Sequence, residues 1–170
     1  MATDQNSLTP VLDFLRLHAP FSQMAPAHLE FLAKRLTLGF YPKNQAVIGP
    51  DSGPADCFYI IKQGRIRGES PETGEEGAWE LVTGECFPIG ALLSHRPVRT
   101  VNRAVEDTFC YELSRTDFEQ LLLKSPVFHD FCTRRLASLL DSALRGVQAS
   151  SASQAAGDRS LNTPLRSLLR

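Results

Sequence analysis

The stretch between residues 38 and 113 constrains the fold most, because it is divided into short apolar or alternating runs by glycine, proline, aspartate and asparagine. The runs occupy residues 38–41, 45–48, 57–62, 65–68, 78–82, 98–104 and 108–113. Short strands at regular spacing with frequent turns are typical of antiparallel sandwiches, barrels and jelly rolls. The sequence therefore predicts a β-roll at the centre of the chain.

Helical patterns lie on both sides of these runs. Ser7 is a predicted N-cap for a first amphipathic helix, and Pro26 lies where the first turn of a second helix accepts proline. After the last run, Ser114 predicts another N-cap, and Ser125-Pro126 begins a longer helix. The predicted fold class is α+β: an antiparallel β-roll or jelly roll flanked by N-terminal helices and a C-terminal helix pair.

Charge and hydropathy restrict the partners. The chain has 170 residues and a formal net charge of −1, whereas surfaces that bind nucleic acid or anionic membranes are rich in lysine and arginine. No apolar run approaches the roughly 20 residues that span a bilayer, and the polar N-terminus does not resemble a signal peptide. We therefore expect a cytoplasmic protein with neither a nucleic-acid nor a membrane partner.

The cysteines and histidines do not have the spacing of metal ligands. The four cysteines are Cys57, Cys86, Cys110 and Cys132, each among apolar residues, which is typical of reduced structural thiols. The four histidines, His18, His28, His95 and His129, fall in predicted helices or loops and never pair within a strand. Since no Ser-His-Asp order, P-loop or G-x-S-x-G motif is present, we expect neither a metal site nor an enzyme.

Three segments follow from this pattern. Residues 1–148 are predicted to form one domain, and residues 149–160 are predicted to be a flexible linker because they contain few large apolar side chains. Residues 161–170 are predicted to begin a further domain that the sequence truncates.

The segment from Gly49 to Gly68 resembles the strand–turn–strand core of cyclic-nucleotide-binding domains. The residues before and after it fit the same family: Phe21-Ser-Gln-Met resembles its entry helix, and Glu106-Asp-Thr with Tyr111 resembles its closing strand. The resemblance implies a non-enzymatic regulatory or sensor domain. It also implies a phosphate-binding cassette, here residues 87–100, whose backbone N–H groups cradle an anion.

The cassette supplies the candidate ligand-binding residues. They are Phe87, Pro88, Ile89, Gly90, Ala91, Leu92, Arg96, Arg99 and Thr100. Family members that bind cyclic nucleotides typically carry Gly-Glu after the phenylalanine, and the carboxylate accepts the ribose 2′-hydroxyl. Pro88 and Ile89 stand there instead, and losing this partner costs about 1–3 kcal/mol, roughly tenfold to hundredfold in affinity.

The arginine that would pair with phosphate has two candidates. Arg96 and Arg99 both lie near the family's position, whereas strict counting back from Ala104 reaches Val98. Either guanidinium is suited to bidentate phosphate binding, or is a solvated loop residue. The ligand is expected to be a small anion, such as a cyclic or other nucleotide, and no other cofactor is expected.

The final helix and the C-terminus suggest further partners. In domains of the cAMP-receptor type the final helix forms a homodimer seam, which the apolar residues Leu136, Leu139, Leu140, Leu144 and Val147 would supply here. Packing on the roll is the alternative. Thr163-Pro164 and the Phe87–Leu92 motif resemble bacterial signalling proteins with downstream CBS and nucleotidyltransferase domains. The alternative function is a ligand-free dimerisation module on the same fold.

Overall fold

A computed structural model of the chain describes residues 4–159. The chain divides into two compact units between Thr133 and Arg134. The predicted start of a following domain, residues 161–170, lies outside the described residues. No helix within residues 4–159 is long and apolar enough to cross a membrane.

Two helices precede the first strand. They are α1 (Asp4–Arg16) and α2 (Pro26–Ala33), with a short 3-10 turn at Phe21–Gln23 between them. Pro26 occupies the first turn of α2, as predicted, where its missing N–H costs no intrahelical hydrogen bond.

Eight strands form two antiparallel sheets, which confirms the predicted fold class. The strands are β1 (Thr37–Tyr41), β2 (Ala46–Ile48), β3 (Cys57–Gln63), β4 (Arg65–Ser70), β5 (Gly74–Val82), β6 (Cys86–Phe87), β7 (Val101–Ala104) and β8 (Thr108–Ser114). Sheet A has the order β1-β8-β3-β6, and sheet B has the order β2-β7-β4-β5. Strand β6 was not predicted, because a strand of two residues shows no alternation.

The two faces of sheet A have different neighbours. Side chains alternate along β3, so Phe58 faces the helices and Tyr59 faces the opposite side. Phe58 packs against Phe118 and Phe128 with ring centroids 5.1 and 5.7 Å apart, and Phe21 lies 6.3 Å from Phe128. These rings are fully buried and attach the helices to the roll. The face that carries Tyr59 looks into the space between the sheets, which we call the roll interior.

Helices α3 (Ile89–Ser94), α4 (Arg115–Lys124) and α5 (Pro126–Arg159) complete the chain. The Ser114 hydroxyl accepts a hydrogen bond from the N–H of Asp117, which confirms the predicted N-cap of α4. Where the sequence predicts a linker at residues 149–160, α5 continues to Arg159. Alanine and glutamine in this segment favour helix, which offsets the lower helix propensity of its serines and of Gly157.

The β3–β4 turn depends on Gly64. Its φ of +107° is unfavourable for side chains other than glycine, and an added Cβ would lie 2.9 Å from the Cα of Thr108. Backbone strain and steric overlap therefore act together at this position.

We predict that Gly64→Ala lowers the free energy of unfolding by about 2–4 kcal/mol, since strain and overpacking each cost about 1–3 kcal/mol. Gly74→Ala is the control, because Gly74 also has a positive φ but an added Cβ there would meet nothing within 4 Å. Urea denaturation measures both variants. Equal losses for the two would show that the contact with Thr108 is unimportant.

Candidate functional site

The cassette begins where β6 leaves sheet A. Phe87 pairs with Tyr59 of β3, and the two rings stack with centroids 5.1 Å apart. Pro88 is the N-cap of α3, which places the predicted residues Phe87 to Leu92 in one strand end and one short helix. The sequence motif thus forms a compact turn against the edge of the roll.

Most of these cassette side chains belong to the core. Phe87, Ile89, Ala91 and Leu92 are buried, and Ile89 is only 4% exposed. Ile89, at the position expected for the glutamate, therefore stabilises the fold. A carboxylate in place of Ile89 would be buried and would cost stability, so substituting glutamate there does not simply restore a ribose contact.

The second half of the cassette is an ordered loop. His95 ends α3 in a left-handed conformation, with φ +46°. The backbone N–H of Arg96 donates to the carbonyl of Ala91 (3.1 Å), and the Arg96 carbonyl accepts from the N–H of Ala55 (3.0 Å). Arg99, two residues before β7, is exposed. The loop thus fixes the backbone of Arg96 and leaves the side chain of Arg99 open to solvent.

The charge of this region has one sign. No aspartate or glutamate occurs between Glu85 and Glu106, whereas Arg96, Arg99 and Arg103 lie in this segment. Neither Arg96 nor Arg99 forms an ion pair with any residue in the described part of the chain. The segment therefore presents uncompensated positive charge, which favours an anion.

Asn102 of β7 carries a polar side chain into the roll interior. It is 2% exposed, and its Nδ2 donates to the carbonyls of Ile48 (3.4 Å) and Thr100 (3.2 Å). Its Oδ1 is buried and accepts no hydrogen bond from the residues that the structure describes. Rotating the amide would place the oxygen against two carbonyls, so the orientation is fixed. An unpaired buried acceptor costs about 1–3 kcal/mol, which marks this position as unusual.

Trp79 lies in the same row of sheet B. Asn102 pairs with Gly68 of β4, and Gly68 pairs with Trp79 of β5. A Cβ on Gly68 would lie 2.8 Å from Cη2 of Trp79, so the indole covers the glycine and extends across β4 towards β7. Glycine is required at this position because the ring occupies the volume of a side chain.

The opposite wall of the roll interior carries hydroxyl, thiol and carboxylate groups. The Tyr41 hydroxyl donates to the Glu112 carboxylate, which lies over Gly39. The rings of Tyr41 and Tyr59 meet edge to face with centroids 6.4 Å apart, across the small side chain of Cys110. Polar groups therefore lie close to the stacked rings of Tyr59 and Phe87, where the cassette begins.

Burial governs the protonation of these groups. Burial first and the charge of Glu112 second raise the pKa of the Cys57 thiol from 9.0 to about 11 and that of the Cys110 thiol from 9.0 to about 12. The pKa values of Tyr41 and Tyr59 are raised as well, again mainly by burial. At neutral pH these thiols and hydroxyls are protonated and serve as hydrogen-bond donors.

Metal-binding clusters and surface depressions are the other possible sites in a domain of this kind. Among the described residues no group of three or more histidine, cysteine, aspartate or glutamate side chains is placed to hold a metal ion. A depression of about 440 Å³, lined by Lys43, Gln63, Gly64, Glu106 and Asp107, lies at the hairpin end of the roll. Its lining contains both charges, which does not favour an anion.

Sequence reasoning selected residues 87–100 as the candidate site and did not select the polar residues of the roll interior. Asn102, Trp79 and Glu112 were not singled out, because whether they face inward depends on the strand register. The available signal was a polar residue at an alternate position of a β-run, as in Val101-Asn102-Arg103-Ala104.

We predict that Ellman's reagent labels Cys57 and Cys110 at about pH 8 at least roughly 100-fold more slowly in the folded protein than in guanidinium, since only the thiolate reacts. The unfolded thiols ionise near 9.0 and the folded thiols at about 11 or above. Stability is therefore fully present below pH 9.0 and falls as the pH rises towards 11. Rapid labelling of the folded protein, or stability that rises over this range, would contradict the assignment.

Comparison with solved structures supports the architecture. The sensor domain of the transcriptional regulator DNR from Pseudomonas aeruginosa is 16% identical with a TM-score of 0.64, over 76% of this chain and 92% of that one. The catabolite activator protein of Thermus thermophilus is 22% identical with a TM-score of 0.56, over 84% of this chain and 63% of that one. The regulatory subunit of a cAMP-independent protein kinase A from Trypanosoma brucei is 17% identical with a TM-score of 0.69, over 79% of this chain and 47% of that one.

This chain therefore spans less than two thirds of the Thermus and Trypanosoma proteins, and at these identities the likeness shows the fold alone. No curated protein sequence matches the chain significantly. The sequence profile of the cyclic nucleotide-binding domain matches residues 38–125 of the chain's 170, a range that includes the roll, the cassette and α4. The chain belongs to the cyclic nucleotide-binding domain family.

Proposed function

We propose that this domain is a sensor that binds a small anionic ligand, of nucleotide class, at the cassette and relays its presence through the final helix. The observation that carries the proposal is the pair Arg96 and Arg99, which form no ion pair within the described residues and lie in a segment without carboxylates. A guanidinium free of acidic neighbours binds phosphate in a bidentate manner. Family membership supports a ligand of this class.

Arg99 is the better phosphate ligand of the two. The Arg96 guanidinium already donates to the carbonyl of Pro97 (3.2 Å), whereas Arg99 is exposed and has no such internal bond. With Pro88 and Ile89 in the cassette, the ribose 2′-hydroxyl loses its usual acceptor. Affinity is therefore expected to depend mainly on the phosphate.

A short path connects the cassette to the C-terminal helices. The Nε of Arg115, the first residue of α4, donates to the carbonyl of Leu92 in α3 (3.4 Å). The backbone N–H of Arg115 also donates to the backbone carbonyl of Asp56 (2.7 Å), and the Arg115 guanidinium forms an ion pair with Glu119. A ligand that prefers one position of α3 would thus bias α4, and α5 follows α4 directly at Ser125.

The wider context is part of the same proposal. We place the domain in a cytoplasmic bacterial signalling protein, without catalysis of its own, where it controls downstream CBS and nucleotidyltransferase domains. The sequence similarities at Phe87–Leu92 and Thr163-Pro164 support this context.

The direct test is calorimetric titration with cAMP, cGMP and their linear monophosphates. We expect Arg99→Gln to weaken binding by roughly tenfold to hundredfold, because a charge-assisted hydrogen bond is worth about 1.5–3 kcal/mol. Arg16→Gln is the control, since it removes the same charge from an exposed ion pair on α1. The proposal is wrong if none of these nucleotides releases heat or shifts the melting temperature.

A second candidate function is a dimerising interaction module that needs no ligand. In the second unit, α5 exposes Leu139, Leu140, Leu144 and Val147, between 48% and 65% of each residue. Leu140, Leu144 and Val147 recur at four- and three-residue intervals with Leu139 next to them, and such an apolar patch is typical of a contact with another chain.

We predict that Leu140→Asp converts a dimer into monomers, because a charge would have to be buried in the seam. The matched control is Leu123→Asp on α4, where the leucine is 89% exposed. Light scattering coupled to size-exclusion chromatography measures the mass of each. A monomeric parent protein would rule out the dimerising function.

A further inference from the structure

The row Asn102–Gly68–Trp79 crosses sheet B at the depth of the cassette. Asn102 follows Thr100, the last cassette residue, and donates to its carbonyl. The row thus begins directly where the cassette ends.

The row places the unpaired acceptor Oδ1 of Asn102 beside the half-buried indole of Trp79. Oδ1 of Asn102 is closed off from solvent and has no hydrogen-bond partner, although both N–H bonds of the same amide are made. The indole of Trp79 lies over Gly68 beside it and is itself only half-buried. An outward rotation of the indole would open the space above Gly68, because Gly68 has no side chain of its own to fill it.

We propose that this row is a closed ligand subsite, in which Trp79 covers Asn102 until a ligand displaces the indole. A hydroxyl or amino group of the ligand then donates to Oδ1 of Asn102. This inference rests on the proposed function, because the anionic end of the same ligand lies at Arg99. The subsite supplies a hydrogen-bond acceptor for a hydroxyl or amino group of the ligand, in a domain whose cassette contains no carboxylate.

The subsite also selects a ligand class. An amide oxygen accepts a hydrogen bond from a hydroxyl or amino group, and the space released by the indole suits a planar ring of similar size. A compact anion such as inorganic phosphate would reach Arg99 but would not occupy the space under Trp79. The expected ligand is therefore a nucleotide, with a base or ribose that enters the roll interior.

Trp79 is the only tryptophan of the chain, so its fluorescence reports on the cover directly. With cAMP as the probe, we expect the emission of the full chain to shift to longer wavelength as the indole becomes exposed. Inorganic phosphate should leave the emission unchanged. Trp79→Ala should bind cAMP at least tenfold more tightly, because opening the subsite no longer opposes binding.

Asn102→Ala should bind cAMP at least tenfold more weakly. Thr108→Ala is its matched control: Thr108 is likewise buried and polar, but it lies at the other end of the roll and its hydroxyl is hydrogen-bonded to Arg65 and Glu106. If only cAMP and not 2′-deoxy-cAMP is weakened by Asn102→Ala, the donor is the ribose hydroxyl; equal weakening of both assigns it to the base.

Different experimental results would overturn the subsite and the sensor function. If cAMP binds but Trp79 emission is unchanged and both variants bind like the parent, the subsite is wrong and the sensor function stands. If the parent binds none of the nucleotides, both are wrong. The parent emission and Trp79→Ala decide the question even if Asn102→Ala does not fold.

Discussion

The packing of Phe58 between Phe118 and Phe128 is the interaction on which the rest of this structure depends. The rings are fully buried and join one face of β3 to the beginnings of α4 and α5. Because β-strand side chains alternate, fixing Phe58 towards the helices fixes Tyr59 towards the roll interior. Tyr59 in turn stacks on Phe87, and so the position of the cassette follows from an aromatic contact on the opposite side of the sheet.

This arrangement separates the structural and chemical roles of the cassette. Its first half is apolar and buried, so it anchors α3, while its second half displays Arg99 to solvent without an acidic partner. The polar groups that a ligand could use lie elsewhere, in the roll interior. Since a buried amide oxygen without a partner costs stability, Asn102 is explained best by a function that pairs it.

The parts that sequence predicted are those encoded locally. The short runs that form β3 and β8, the cap at Ser114 and the helix start at Pro26 each depend on a few neighbouring residues, and the structure confirms them. The roll interior could not be predicted in this way. Trp79 and Asn102 are 23 positions apart and share a row of sheet B, on either side of Gly68, only through the register of β5, β4 and β7. The helix through residues 149–159 was missed because small residues fit both linkers and helices.

Hydrogen–deuterium exchange with and without saturating cyclic nucleotide locates ligand binding within the fold. If the nucleotide binds at the cassette and enters the roll interior, exchange becomes slower in residues 86–104 and changes in β4 and β5 around Gly68 and Trp79. Exchange at the depression lined by Lys43 and Asp107 stays the same. Protection at that depression alone, or no change anywhere with any of the nucleotides, would show that the cassette is not the binding site.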